Sequence, residues 1–287
     1  MSLKDENLYF IGGVVRDEML GIPSLDTDYC YEGDAIEFAK QKGLNILREN
    51  PAFGTVRVLF EDKEIDIAST REEFYPQKGH LPVVSNIGCA LEDDLKRRDF
   101  TINAMAKRTT DGEIIDIFGG IDDIKSKKLR VLHDKSFEDD PTRILRALKF
   151  SLRFGFTLDE STARFQKEYL KNINYDMSYH RLKKELVETF NLNSQEAYDR
   201  FTSEGIYKLL GKSVLLPEYH PDFRNLNYSG RHIWLIYLSF FNLENLELTR
   251  AEKRIIEWAE RLKTEKQTNN TPIESIIINE IYKEAVS

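Results

Sequence analysis

The chain has 287 residues, of which 41% are hydrophobic, 31% charged and 11% aromatic, and its formal net charge is −8. This length predicts about two domains, and the composition excludes a disordered, collagen-like or low-complexity chain. No apolar run approaches the ~20 residues of a membrane span, no apolar leader is visible, and the two cysteines are too few for a disulfide framework. We therefore expect a cytoplasmic protein with no membrane partner.

Charge is unevenly distributed along the chain. Residues 1–124 carry 14 lysines and arginines against 25 acidic residues, whereas residues 125–200 carry 16 against 12. An acidic front followed by a basic middle fits a metal-binding head joined to a segment that binds a polyanion. Ordinary variation in solvated surface charge explains the same counts, and the counts alone favour that explanation.

The first 125 residues predict a domain that mixes strands and helices. A glycine pair separates the first strand from the first helix, and the two strands after residue 54 are spaced as a hairpin. Residues 75–88 contain two prolines and two glycines without periodicity, which predicts a mobile loop. The predicted elements are a strand at 8–11, a helix at 14–20, a strand at 26–31, a helix at 35–42 and strands at 55–60 and 64–69.

From residue 137 onward the apolar residues recur with a period of ~3.6, which predicts helices. Amphipathic patterns cover residues 144–152, 182–190 and 255–262. The predicted fold class is therefore an α+β head with a small mixed sheet, followed by an all-α neck and body. We assign the head to residues 1–125, the neck to 126–200 and the body to 201–287.

The predicted second strand carries Asp26 and Asp28 at alternate positions. Alternate strand residues point to the same face, so both carboxylates can reach one point. Hard oxygen ligands suit Mg²⁺, and two such ions could hold a nucleotide's phosphates and activate a hydroxyl. Taken alone, an acidic strand end exposed to solvent explains the pattern better.

Two further features of the head also bear chemistry. Gly12 and Gly13 let the backbone approach a ligand at the start of a helix, and Arg16 can pair with a phosphate. A plain strand–helix turn is the alternative. Asp66 lies between two isoleucines on a strand that we predict to be mostly buried, where an acid must be paired or ligating. A metal ligand and an ion pair are equally compatible with it.

Together these features resemble the nucleotidyltransferase superfamily with the polymerase-beta-type palm. More specifically, five ordered motifs resemble the signatures of the class II tRNA nucleotidyltransferases and bacterial poly(A) polymerases. They cover about two-thirds of the chain. The motifs are residues 12–17 with 26–28 (GGVVRD, DTD), 91–106 (LEDDLKRRDFTINAMA), 111–120 with 129–130 (DGEIIDIFGG, LR), 139–147 (DDPTRILRA) and 178–186 (SYHRLKKEL).

The resemblance implies a Mg²⁺-dependent, template-independent enzyme that adds C, A or both from CTP and ATP to the 3′ end of tRNA. Residues 53–56 (FGTV) look more like the tRNA branch than like the poly(A) polymerases, which are the first alternative. A catalytically silent tRNA-binding module is the second, and the intact motif residues argue against it. The motifs leave CCA, CC-only and A-only addition open.

The resemblance also implies roles for individual residues. Catalysis falls to Asp26, Asp28 and Asp66, with Mg²⁺ (two ions) on Asp26 and Asp28. Nucleotide contacts fall to Gly12, Gly13, Arg16, Arg98 with Arg97 as an alternative, Asp99, Asn103, Arg146 and Lys149. Asp140 and Arg143, at i and i+3 of one predicted helix face, would read the base edge. From the charge excess we place RNA contacts at Lys127, Lys128 and Lys183.

Three departures from the family pattern are visible. Position 139 is Asp where the family usually has Glu, and position 149 is Lys where it usually has Arg, which loses bidentate geometry. Fewer helical residues follow the fifth motif than is usual, which implies a reduced tail or a truncated chain.

Overall fold

The computed structural model describes residues 3–24 and 28–287, and it divides the chain into two compact units. The first unit extends to Asp139 and includes Thr157–Ala163, whereas the second contains Asp140–Phe156 and Arg164–Ser287. The predicted head therefore lies within the first unit. The further division of the helical part at residue 200 stays a prediction.

The first unit is built on a mixed sheet. Its described strands are β1 (Leu8–Ile11), β2 (Asp28–Tyr31), β3 (Asn45–Asn50), β4 (Thr55–Phe60), β5 (Lys63–Ser69), β6 (Arg71–Phe74), β7 (Val83–Ile87), β8 (Ala106–Arg108), β9 (Ile114–Ile115), β10 (Lys128–Leu129) and β11 (Thr157–Leu158). Seven of them form one sheet in the order β3-β4-β5-β2-β1-β8-β9. β6 pairs with β7, and β10 pairs with β11.

Apolar side chains on alternate positions hold this sheet to its helices. The helices of the unit are α1 (Gly13–Leu20), α2 (Ala35–Gln41), α3 (Leu91–Lys96), α4 (Gly120–Lys125) and α5 (Ser136–Asp139). Phe38 of α2 packs in one core with Val58 and Ile67 of the sheet. α2 begins where it does because the Asp34 side chain accepts hydrogen bonds from two free backbone N–H groups of its first turn.

The register of two central strands matters for the site. β2 runs parallel to β5, and Asp28 lies opposite Asp66. Paired residues on neighbouring strands project to the same face of a sheet, so the two carboxylates lie side by side. The predicted strand from 26 to 31 is confirmed from Asp28 onward, whereas Asp26 and Thr27 lie outside the described residues.

The segment from 75 to 88 is only partly a loop. Val83–Ile87 forms β7, which pairs antiparallel with β6, so the prediction of a loop is wrong for its second half. β-branched residues at 83, 84 and 87 favour the strand, and the surrounding prolines and glycines concealed that preference. The remaining turn is tied down, because Gly79 N–H donates to the carbonyl of Asp139 at 3.0 Å.

The second unit is helical. From residue 142 onward the described helices are α6 (Thr142–Phe154), α7 (Glu160–Tyr169), α8 (Tyr179–Phe190), α9 (Gln195–Ser203), α10 (Ile233–Leu238), α11 (Arg250–Arg261) and α12 (Ile273–Val286). Aromatic rings fill its core, with Phe190 5.2 Å from Phe201 and 5.4 Å from Tyr237 between ring centroids. In the described part of the chain no helix has the length and apolarity to cross a membrane. The predicted fold class, a mixed α+β head before a helical remainder, is confirmed.

Candidate active site

The first unit contains a cleft of about 620 Å³. It brings together five of the sequence-predicted site residues, namely Gly13, Asp28, Asp66, Arg97 and Arg98. Further arginines line it as well, so the cleft offers several cations beside a pair of carboxylates. Those arginines are Arg48, Arg57 and Arg71. This combination can hold the phosphates of a nucleotide and a hard cation.

The glycine turn at the start of α1 brings backbone to the cleft. Gly12 has φ 63° and ψ −116°, a conformation open to glycine and strained for any other residue. A Cβ atom at Gly12 would lie 2.8 Å from Nη1 of Arg98, so the guanidinium rests directly on the glycine backbone. The turn therefore needs glycine both for its dihedral angles and for this close approach.

Arg16 lies beneath that turn. Its side chain is buried, and its guanidinium donates to Oδ1 of Asp17 at 2.6 and 2.8 Å and to Oδ1 of Asn103 at 2.6 Å. Asn103 in turn donates from Nδ2 to Asp99 at 2.9 Å. Arg16, Asn103 and Asp99 thus form one buried network that supports Gly13. Direct contact of these three residues with a nucleotide stays a prediction.

Asp66 differs from its predicted surroundings. β5 alternates, with Ile65 and Ile67 buried, so Asp66 lies on the exposed face and its side chain is 52% exposed. The prediction of a buried position is therefore wrong. Arg57 on β4 donates to both carboxylate oxygens of Asp66, at 2.8 and 2.7 Å, and this hydrogen-bonded pairing raises the pKa of Arg57.

Asp28 and Asp66 fit a magnesium site of the kind completed by substrate. Carboxylate oxygens are the ligands that Mg²⁺ prefers, and such sites commonly use one or two carboxylates together with phosphate oxygens. Within residues 3–24 and 28–287 no cluster of three His, Cys, Asp or Glu side chains could hold a metal ion. The contribution of Asp26, which is outside those ranges, stays a prediction.

Arg97 and Arg98 have different surroundings although they are neighbours in sequence. Arg97 donates to the Arg71 carbonyl at 3.0 Å, pairs with Glu73 at 3.0 Å and pairs with Asp94 at 2.7 Å. Arg98 pairs with the other oxygen of Asp94 at 2.9 Å. Its buried Nε has no hydrogen-bond partner among the residues that the structure describes. Arg98 thus lines the cleft with one buried donor that no described residue accepts.

Asp140, predicted to read the base, lies in the second unit. α6 begins only at Thr142, so the prediction that Asp140 shares a helix face with Arg143 is wrong. Asp140 precedes the helix, and its Oδ1 accepts from the backbone N–H and the hydroxyl of Thr142, at 3.1 and 2.6 Å. Its Oδ2 accepts from Arg181 at 2.5 Å. Arg143 is buried in the first turn of α6.

Two further cations of α6, Arg146 and Lys149, are paired with acids of α8. Glu185 accepts from Arg146 at 3.3 Å and from Lys149 at 2.8 Å, and Lys149 also donates to Glu188 at 2.5 Å. Lysine at 149 thus retains its charge on the same face as Arg146. Contact of either residue with a triphosphate stays a prediction.

The three lysines proposed for RNA contact differ in availability. Lys127 is exposed, and Lys128 donates to the hydroxyl of Thr157 at 3.1 Å at the surface. Lys183 donates to the Glu247 carbonyl and to Glu252, both at 2.7 Å, and its side chain is 14% exposed. Replacing Lys183 would therefore disturb the second unit as well as any RNA contact.

Sequence reasoning missed Asp94, Arg57 and Arg181, each of which holds a predicted site residue in place. A signal existed for Asp94, because it precedes Arg97 and Arg98 by three and four positions within the second motif, the spacing of helical ion pairs. Arg57 and Arg181 gave no such signal, since their partners come from other strands or helices.

Comparison with known proteins places these features in a family. Residues 8–130 match the family model of the poly A polymerase head domain. The A-adding tRNA nucleotidyltransferase of Aquifex aeolicus is 45% identical over 167 residues, which are 56% of this chain and 20% of that protein. The CCA-adding enzyme of Lactobacillus helveticus is 32% identical over 260 residues, 84% of this chain and 61% of that protein.

Likeness to a solved structure extends over both units. The structure of a CCA-adding enzyme in complex with ATP matches 97% of this chain and 77% of its own, with a TM-score of 0.72 and 27% identity. The chain spans a fifth of the length of the Aquifex relative and less than two-thirds of the Lactobacillus one. Residues 8–130 thus match a poly A polymerase head domain, and beyond that domain the chain is similar in sequence and fold to CCA-adding enzymes.

Proposed function

We propose that this chain is a template-independent RNA nucleotidyltransferase that adds C, A or both from CTP and ATP to the 3′ end of tRNA. The observation that carries the proposal is the cleft of the first unit. It joins the glycine turn, the paired acids Asp28 and Asp66, and Arg98 with its unused donor. The names of the relatives, which are A-adding and CCA-adding enzymes, support it.

In the proposed reaction the 3′ hydroxyl of the RNA attacks the α-phosphorus of the nucleoside triphosphate. A new P–O bond forms, the bond between the α-phosphorus and the bridging oxygen breaks, and pyrophosphate leaves with that oxygen. Arg98 and the backbone at Gly13 would bind the phosphates and hold the leaving group in line. Arg98 also offsets negative charge as it builds up on the pyrophosphate.

Asp28 and Asp66, together with Asp26 as the resemblance implies, would hold Mg²⁺. Bound there, the metal would lower the pKa of the attacking hydroxyl and neutralise phosphate charge. Arg57 already balances the charge of Asp66 through its bidentate pairing. This pairing thus orients the carboxylate before any ligand arrives.

We further propose that Asp140 and Arg143 select the base. A carboxylate can accept from the exocyclic amino group that C and A share, and an arginine can donate to a ring nitrogen or a carbonyl. Asp140 is fixed from two sides, by Thr142 and by Arg181, which suits a group that must present an acceptor in one direction.

Radiolabelled nucleotide incorporation tests the function directly. The purified chain should add A from ATP to tRNA that ends in CC. Addition of C from CTP to tRNA lacking CCA would identify a CCA-adding or CC-adding enzyme, and its absence an A-adding one. Long tails on oligo(A) would instead identify a poly(A) polymerase. Failure on every RNA would contradict the proposal and favour a silent tRNA-binding module.

A matched pair of variants links that activity to the cleft. Asp28→Asn keeps the shape of the side chain and removes its charge, so incorporation should be lost while the urea unfolding midpoint is unchanged, because Asp28 is exposed. Asp62→Asn removes an equally exposed charge in the turn between β4 and β5 and should leave incorporation unchanged. Equal activity of the two variants would contradict the assignment of Asp28.

A further inference from the structure

We propose that Asp94 is a positioning residue that sets nucleotide affinity by holding Arg98 against the glycine turn, without itself touching the nucleotide. The inference deepens the proposed function and rests on it, because it takes the cleft's ligand to be a nucleoside triphosphate. Asp94 lies in the middle of the second motif, and its carboxylate pairs with Arg97 and Arg98 in the wall of the cleft.

Asp94 is buried in the wall of the cleft. The Asp94 side chain is 1% exposed, although the residue borders the cleft, and one carboxylate faces two guanidinium groups. Burial acts to raise the pKa of Asp94, but Arg98 and Arg97 outweigh it and hold the pKa below its ordinary value. Asp94 is therefore an anion at neutral pH, and it would repel a phosphate rather than bind one.

The two oxygens of Asp94 have separate partners. Oδ1 accepts from Nη2 of Arg97 at 2.7 Å and from the backbone N–H of Arg71 at 3.1 Å. Oδ2 accepts from Nη2 of Arg98 at 2.9 Å. One oxygen thus joins α3 to β6, and the other holds the arginine that reaches the glycine turn.

Arg97 and Arg98 use their other donors differently. Arg97 also binds Glu73 and the Arg71 carbonyl, so it links α3 to β6. Arg98 keeps a buried Nε with no hydrogen-bond partner in the described part of the chain, and its Nη1 lies where a Gly12 side chain would be. Arg98 is therefore the arginine that contacts the ligand, and Asp94 holds it in position.

The ion pair between Asp94 and Arg98 should raise the affinity for ATP. An unanchored arginine has many rotamers, and fixing one of them on binding lowers affinity. Asp94→Asn keeps the size of the side chain and an acceptor oxygen for Arg97 and the Arg71 backbone N–H. It removes the charge that holds Arg98. We expect ATP binding to weaken by about tenfold, the usual effect of losing one charge-assisted hydrogen bond.

Calorimetric titration of the full chain with ATP and MgCl₂ tests this, with Asp93→Asn as the matched control. Asp93 is the preceding acid of α3 and is exposed, so its variant should bind ATP like the wild type. Asp94→Asn and Arg98→Ala should each weaken binding, and the double variant should bind no more weakly than Arg98→Ala alone. Additive losses would overturn the proposal, since they would mean that Asp94 does not act through Arg98.

A second measurement covers the case in which Asp94→Asn does not fold. In the nucleotide-free wild type, the Nε–H resonance of Arg98, assigned with Arg98→Lys, should show the slow rotation and high order of a fixed guanidinium. A freely rotating Arg98 would overturn the proposal. Both measurements stand even if the chain incorporates no nucleotide, whereas an Asp94→Asn variant with wild-type affinity would refute the inference and leave the proposed function intact.

Discussion

Gly12→Ala is the substitution for which the structure gives the sharpest expectation. Gly12 has φ 63° and ψ −116°, so a side chain there costs about 1–3 kcal/mol in backbone strain. The new Cβ would lie 2.8 Å from Nη1 of Arg98 and 3.4 Å from the Asn103 carbonyl, so the guanidinium must move. Loss of one hydrogen bond from a charged donor to a ligand costs about 1.5–3 kcal/mol, which is about ten- to hundredfold in the Kd for ATP.

Gly21→Ala separates the cost of backbone strain from the displacement of Arg98. Gly21 also has a positive φ, 67°, but no atom lies within 4 Å of the position that its Cβ would take. It should lower the free energy of unfolding by about 1–2 kcal/mol and leave ATP affinity unchanged. Urea unfolding followed by circular dichroism, together with calorimetric titration with ATP, measures both quantities. If Gly12→Ala bound ATP as tightly as Gly21→Ala does, Arg98 at the glycine turn would not be a nucleotide ligand.

Three further predictions address other parts of the chain. Arg143→Ala should relax discrimination against UTP and GTP by roughly ten- to hundredfold, measured by incorporation kinetics; an equal loss on all four nucleotides would place Arg143 on the phosphates instead. Replacing Lys127 and Lys128 by alanine should lower the slope of log K for tRNA against log salt by roughly 0.7–0.9 per lost contact, measured by anisotropy, with ATP affinity unchanged. Burial acts to raise the pKa of Glu274, but hydrogen bonds, first of all the one from Tyr228, outweigh it and lower that pKa. The contribution of Glu274 to stability is therefore complete above its pKa in the unfolded chain, and it is lost as the pH falls through its pKa in the folded protein. Glu274→Gln should therefore flatten the acid side of the stability profile recorded by tryptophan fluorescence, which reports on the second unit because both tryptophans lie there; an unchanged acid side would refute it.

Elements with strong periodicity were predictable from sequence. β1, β4 and β5 lie where strands were predicted, and α6, α8 and α11 lie where the 3.6-residue pattern predicted helices. β3 was missed because Asn45–Asn50 has a polar sequence and mostly exposed side chains, so it lacks the alternation of a half-buried strand. It is held by backbone pairing with β4 at the edge of the sheet, and such pairing leaves little trace in composition.

The site was predictable as a set of residues but not as a set of contacts. The motifs indicated Arg97 and Arg98 together, and only the fold separates Arg97, which pairs with Glu73, from Arg98, whose buried Nε has no partner among the described residues. Asp140 was predicted on a helix face, yet α6 begins only at Thr142, after Pro141. The Thr142 N–H donates to Asp140, which precedes the helix. Local sequence predicts which residue types are present, whereas partners distant in the chain decide which donors remain for a ligand.

The cleft also shows that the net charge of a segment does not describe the charge of one surface within it. Residues 1–124 are strongly acidic in total, and this favoured the basic middle of the chain as the place for a polyanion. Within the same residues, however, arginines converge on one cleft, and acids nearby hold several of them in fixed directions: Asp66 holds Arg57, Glu73 holds Arg71 and Asp94 holds Arg98. Such pairs contribute little net charge at long range, but they orient donors at short range. Nucleotide binding in this cleft should therefore depend on the direction of hydrogen bonds and vary weakly with salt, unlike RNA binding through exposed lysines.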